Sequence, residues 1–296
     1  MNSLRSKLAY KTYSADLTQL PTLSKGKVHL DRIFYISLSG SHSYGTARKG
    51  SDIDLRGVWV PELSDSLNLT GKSSKGIHVK IDGNDLEMIP IKRFLYVTLR
   101  GNGNYLESLF EKKLFPSIED SIDACGQFYE FYNNHWALNR RRMINDLQKS
   151  ILHYGLNRSF KEHYLRFAQS QKDDFYKDYK VKCLLYTYRV LMAGIVLFRE
   201  KRVEYNLSKL LKHYDSTYVK MLLSKYDLGQ SLVNEPVLRQ IEKEVEVMER
   251  DLQLAYEESD LPEKPNWNYF EEWLANLYVH WGIENEFPGD FGGEFV

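Results

Sequence analysis

Two aspartates one residue apart, Asp52 and Asp54, follow a Gly40-Ser41 pair after ten intervening residues. Carboxylates flanking a single apolar residue at strand period project to one side of a sheet. Side by side they repel each other unless a cation lies between them, and hard oxygen donors of this kind suit Mg²⁺. Gly40 and Ser41 carry no bulky side chain, so their backbone amides can approach a phosphate closely. The apolar run 33–38 reads as a buried strand delivering the chain to that turn. A phosphate cradle beside a carboxylate pair is the equipment of metal-assisted phosphoryl or nucleotidyl transfer. Either half alone is ordinary, since Gly-Ser pairs make turns and Ser51-Asp52-Ile53-Asp54 would fit a solvent-facing strand. Their order and spacing together point to chemistry.

The flanking pattern supplies elements to position these groups. A short helix is expected around 43–48, a strand over 53–60 and a polar loop over 61–75. Stretches 77–81 and 86–91 flank Asp82-Gly83-Asn84-Asp85, a tight-turn sequence that predicts a hairpin. Stretches 92–100 and 105–110 read as helices punctuated by Gly101-Asn102-Gly103-Asn104. Composition shifts near Phe115-Pro116, and helical patterns follow over 118–152, 159–171, 181–199, 207–223, 235–258 and 270–281. Strands early and helices late make the chain α+β: a sheet-bearing domain over 1–115, then an α-helical domain over 116–296. Residues 1–30 read as a polar lead-in arm and the glycine-rich tail 287–293 as a frayed end.

The motif Gly40-Ser41, ten residues, Asp52-Ile53-Asp54-Leu55 resembles the signature of the DNA polymerase β-type nucleotidyltransferase superfamily. The longer stretch Gly40-Ser41-His42-Ser43-Tyr44-Gly45, with Ser51-Asp52-Ile53-Asp54-Leu55-Arg56-Gly57-Val58 and Val60-Pro61, is similar to the nucleotidyltransferases named for an RNA repair pathway. Lys92-Arg93-Phe94-Leu95, Gly101-Asn102 and Asn104-Tyr105-Leu106-Glu107-Ser108-Leu109-Phe110 extend the match. Gly103 departs from it, standing where that family usually has proline. The resemblance is strong over 30–115 and loose beyond, and it implies a small mixed sheet flanked by helices.

Two-metal nucleotidyl transfer needs a third carboxylate on a neighbouring strand, and Asp85 and Glu87 share a face there. Glu87, between Leu86 and Met88 inside the strand, is the favoured ligand; Asp85, beside Asn84 and Gly83, reads as a turn former. Asp52, Asp54 and Glu87 are thus the expected metal ligands and catalytic groups, with two Mg²⁺ ions and a nucleoside triphosphate as substrate. Gly40 and Ser41 would hold its terminal phosphates. Arg56 matches an arginine of the resembling family and either contacts phosphate or pairs with a carboxylate. Lys182, Tyr186 and Arg189 fall on one helix face; the family tends to show lysine and arginine at that spacing, with histidine where Tyr186 stands. The resemblance therefore assigns this stripe to the nucleotide, against the bland alternative of a helix seam. Arg48 and Lys49 read as solvated turn residues, and Arg140-Arg141-Arg142 as a solvated helix face before an RNA dock.

Forty basic and forty acidic residues cancel, so any polyanion must be met by a local patch or by its end alone. Cys125 and Cys183 form neither a disulfide framework nor a metal spacing. With no apolar leader and no window expected to span a membrane, a cytoplasmic protein is expected. The resemblance makes an RNA terminus, a transfer RNA among the candidates, the expected acceptor. Transfer of AMP to a protein or small molecule, and a non-catalytic antitoxin-like binding module, are the alternatives.

Overall fold

The computed structural model describes residues 28–67, 75–81, 84–115, 136–228 and 235–286, with Thr22, Ser24 and Lys25. Most of the lead-in arm, Cys125 and the tail lie outside these residues. The architecture is α+β, with a five-stranded mixed sheet of order β3-β4-β2-β1-β5 and a helical second half.

Strand β1, Ile33–Ser39, is buried along its whole length, as its apolar run requires. It turns into a short helix α1, Gly40–Tyr44, which starts earlier than the expected 43–48. Strand β2, Asp54–Trp59, runs antiparallel to β1, and β3, Ile77–Ile81, runs antiparallel to β4, Asn84–Pro90. Strand β2 pairs in parallel with β4, placing Asp54 opposite Asp85 and Arg56 opposite Glu87. The expected hairpin is present, but β4 begins two residues earlier than its apolar pattern, so Asn84 and Asp85 belong to the strand. Pairing with β2 extends the ladder beyond what hairpin-turn chemistry alone suggests. Alternation then sorts the sheet. Ile36, Leu38, Leu55, Leu86 and Met88 pack on one face. Ser37, Ser39, Asp54, Arg56, Asp85 and Glu87 lie on the other.

The polar face is covered over part of its length by helices α3, Ile91–Leu99, and α4, Gly103–Phe110, after the turn α2, Leu63–Ser66. Ile91, Phe94, Leu95 and Thr98 make the buried stripe of α3 at helical spacing. Asn102 caps α4, accepting from the amides of Asn104 at 3.1 Å and Tyr105 at 3.3 Å. At the other end the Lys113 ammonium, in β5 (Lys113–Phe115), donates to the Ser108, Leu109 and Glu111 carbonyls at 2.8–2.9 Å.

Gly103 is the first residue of α4, the position proline favours. A Cβ there would lie 2.3 Å from Cδ2 of His163, whose ring takes up that space. Burial, reinforced by the Arg189 and Arg56 charges, holds the His163 imidazole down to about 4 from the usual 6.5. The unfolded chain therefore binds more protons between these values, and stability falls as pH drops from 6.5 toward about 4. Denaturation midpoints over that window should show a loss on the order of 2–3 kcal/mol, which His163→Phe removes. An unchanged slope in the variant would place the titration elsewhere.

The second half comprises α5 (Trp136–Ser150, continuing as a π-helical turn over Ile151–Gly155), α6 (Phe160–Asp178) and α7 (Val181–Glu200). After it come α8 (Leu207–Leu210), α9 (Thr217–Asp227), α10 (Glu235–Glu258) and α11 (Trp267–Glu286). The single helix expected over 207–223 is split because Ser216 caps α9, accepting from the Val219 amide at 3.1 Å. Contrary to the expectation that no window approaches a membrane span, α7 is long and apolar enough, with a mean hydropathy of 1.6. It is 83% buried over that window and packs against α6, α9 and α10, as a core helix does. One apolar core runs from Phe34, Tyr35 and Val58 of the sheet through these helices to Trp281. The Arg140-Arg141-Arg142 run is divided by this packing. Arg140 is buried, donates to the Asp31 carbonyl and lies 4.9 Å from the Trp281 ring, which takes it out of any solvated face.

Candidate active site

The turn after β1 and the start of β2 meet at the open end of the polar face. Gly40 has φ +64°, and a Cβ on it would fall 2.0 Å from Oδ2 of Asp54. Only glycine lets the Asp54 carboxylate rest on the turn. Ser41 is buried and, among the described residues, its Oγ has no hydrogen-bond partner. An orphaned hydroxyl beside a carboxylate strand is costly in a finished protein interior and is what a bound group would satisfy. Asp52 is exposed in the loop and Asp54 is half-buried at the first position of β2.

Burial, then the neighbouring Asp52 charge, raises the Asp54 carboxyl above its usual range; Asp85 adds to this, while Lys182 and Arg56 oppose it. Three aspartates thus share one field at the strand ends. Asp85 lies 3.5 Å from Nε2 of His78 and 3.6 Å from Nζ of Lys80, both exposed. Glu87, the expected third ligand, is two pairs further along, opposite Arg56. Its Oε2 is 3.3 Å from Nε of Arg56, and its Oε1 accepts from the Tyr105 hydroxyl at 2.7 Å. Arg56 in turn donates to the Asn104 carbonyl at 3.1 Å. Burial and the Glu87 bond push the Tyr105 hydroxyl up to about 12. Arg56, Glu87 and Tyr105 form a clamp between β2, β4 and α4, and the carboxylate directly opposite Asp54 in the ladder is Asp85.

Among the described residues no three histidine, cysteine, aspartate or glutamate side chains make a metal cage by themselves. The donor set at Asp52 and Asp54 nevertheless fits a hard divalent cation. Mg²⁺ is commonly held by one or two carboxylates, with substrate phosphates and water completing its shell. The mutual repulsion that raises Asp54 is what such a cation relieves.

The helical half supplies the opposite wall. Lys182 is close enough to Asp54 to lower its carboxyl, and its Nζ lies 5.3 Å from the Tyr186 ring centre. Tyr186 meets Tyr44 edge-to-face at 5.6 Å. Arg189 does not join them at the surface, which corrects the expectation of a nucleotide-facing stripe. It is wholly buried, pairs with Glu107 at 3.0 Å and stacks on Tyr44 at 3.8 Å. Helix α7 is enclosed on nearly all sides around Arg189, so a one-face reading holds only near its N-terminus.

Three further contacts went unread in the sequence. Asn206 donates to the Ser43 carbonyl at 3.1 Å. Arg48, expected as a solvated turn residue, stacks 3.5 Å from the Tyr226 ring centre and donates to the Tyr226 carbonyl. Tyr44 carries the Arg189 stack from within the Gly40–Gly45 motif. Its place in that motif was the one available signal.

No curated protein matches the chain by sequence. A family model, that of the RNA repair pathway DNA polymerase beta family (RlaP), matches residues 14–114 and 136–276. With the Gly40-Ser41 turn and Asp52 and Asp54 lying where the sheet opens, and with both halves of the chain matched, the protein belongs to the RNA repair pathway DNA polymerase beta family.

Proposed function

We propose that the protein is an Mg²⁺-dependent nucleotidyltransferase that moves a nucleoside monophosphate from a nucleoside triphosphate to a hydroxyl at an RNA end. A transfer RNA under repair is the acceptor proposed, and the cytoplasm the compartment. Polymerase beta-like nucleotidyltransferases generally use divalent metals and nucleoside triphosphates. The observation that carries the reading is the meeting of Asp52, Asp54 and Asp85 beside an orphaned Ser41 hydroxyl.

Bound between these carboxylates, two Mg²⁺ ions would offset charge on the triphosphate and make the attacking hydroxyl more acidic. Asp52 and Asp54 would hold the ions, and Asp85, on the adjacent strand, is favoured over Glu87 as the third carboxylate. Ser41 donates its hydroxyl to the terminal phosphates, and Lys182 neutralises them from α7. Tyr186 offers a ring face to the base. The acceptor oxygen attacks the α-phosphorus, its bond forming as the bond to the β-phosphate bridging oxygen breaks. The proton passes to Asp85 or to a water beside it, and pyrophosphate leaves.

Asp85→Asn should lower transfer about a hundredfold, as removal of a principal electrostatic group does. Glu87→Gln should instead loosen the Arg56 clamp, lowering the melting temperature with a smaller rate effect. The reverse order of rate losses would return the third position to Glu87. The function itself is tested by incubating wild type and Asp54→Ala with each labelled nucleoside triphosphate, Mg²⁺ and total cellular RNA or protein. Label in RNA with wild type alone supports the proposal, and label confined to protein overturns the acceptor.

A further inference from the structure

A groove of about 640 Å³ lies between the end of α3, the start of α4 and the outer face of α6. Arg100 and Arg166 line it with the rings of Tyr96, His163 and Phe167, and Glu162 is its acidic member. Tyr96 is 51% exposed, although it is a large aromatic. Arg100 donates to the Tyr96 hydroxyl at 2.6 Å and lies 5.4 Å from the ring centre. His163 stacks parallel to Phe167 at 5.9 Å, and its buried Nε2 has no hydrogen-bond partner among the described residues. Among the described residues Arg166 pairs with Glu162, an exposed i,i+4 contact at 3.2 Å. Such a pair is worth little and yields readily to a phosphate. In a chain whose net charge is +0, this is a local excess of cation beside aromatic faces.

The groove also has a position. Asn104 lines it and gives its carbonyl to Arg56, next to Glu87 and Tyr105. That clamp is two residues along β2 and β4 from Asp54 and Asp85, about 7 Å at strand rise. The clamp thus links the aspartate end of the sheet to Asn104 in the groove wall.

We propose that this groove seats the single-stranded nucleotides preceding the acceptor hydroxyl, with phosphates on Arg100 and Arg166 and a base against the exposed Tyr96 ring. Guanidinium contacts to the backbone with aromatic stacking is how unpaired strands are bound without sequence readout. The inference rests on the RNA-end reading and deepens it.

The test titrates the full chain with a short fluorescein-labelled single-stranded RNA by anisotropy at several salt concentrations. Binding of a non-hydrolysable ATP analogue is measured in parallel. Arg100→Ala/Arg166→Ala should weaken RNA binding about tenfold or more and reduce the salt slope by about 1.4, two single-strand phosphate contacts. It should leave ATP-analogue affinity as in wild type, which also reports an intact fold. The Arg100→Lys/Arg166→Lys variant should recover most of the slope. If wild type binds RNA and the alanine variant binds it equally well, the groove assignment is wrong while the acceptor reading survives. If wild type binds the ATP analogue but no RNA, both fall together.

Discussion

Asp54→Asn is expected to lower nucleotidyl transfer by more than about a hundredfold, with Asp52→Asn close behind. Neither change alters side-chain size, so the loss reports charge. The same substitution should raise thermal stability in chelator. Because Asp54 lies above its usual range when folded, the folded state binds its proton more tightly than the unfolded chain. Its contribution is therefore present at low pH and is lost as pH rises through the folded value. Asparagine has no such dependence, so the advantage of Asp54→Asn should grow with pH across the carboxylate range. A variant that is both less active and more stable marks a position kept for chemistry. Loss of activity with loss of stability would make Asp54 a structural residue instead.

Arg189→Met should cost about 3–5 kcal/mol, because it strands Glu107 as an unpaired carboxylate in the core. Burial already raises the Glu107 carboxyl, and Arg189 is the main influence holding it down. The guanidinium also stacks on Tyr44, while its Nε and Nη2 have no hydrogen-bond acceptor among the described residues. The double variant Arg189→Met/Glu107→Leu should recover much of the loss, since it removes both charges together. Urea denaturation of the two singles and the double gives the coupling. Additive effects would mean that the pair does not act as a unit.

The turn, the hairpin and helix α10 were legible because each is local; of the two aspartates expected to share a strand face, only Asp54 lies in β2, and Asp52 stands in the loop before it. Strand periodicity, glycine geometry and an amphipathic repeat lie within a short window of chain. Asp85 reads as a turn former from sequence alone for a non-local reason. Its neighbours are turn formers, and only the parallel partner β2, which the sequence does not announce as parallel, draws it into the ladder beside Asp54. For Arg189 local spacing points the other way. Helical spacing alone put it on a face with Lys182, but the packing of α6, α9 and α10 leaves that part of α7 no solvent side. Arg48 was hidden by distance, since its stacking partner Tyr226 lies 178 residues on.

The loop that would grip a triphosphate is moored to the helices at Asn206, Tyr226 and Arg189. Grip and scaffold should accordingly soften together on heating. Lesions in remote helices would then masquerade as catalytic defects, even with every aspartate intact.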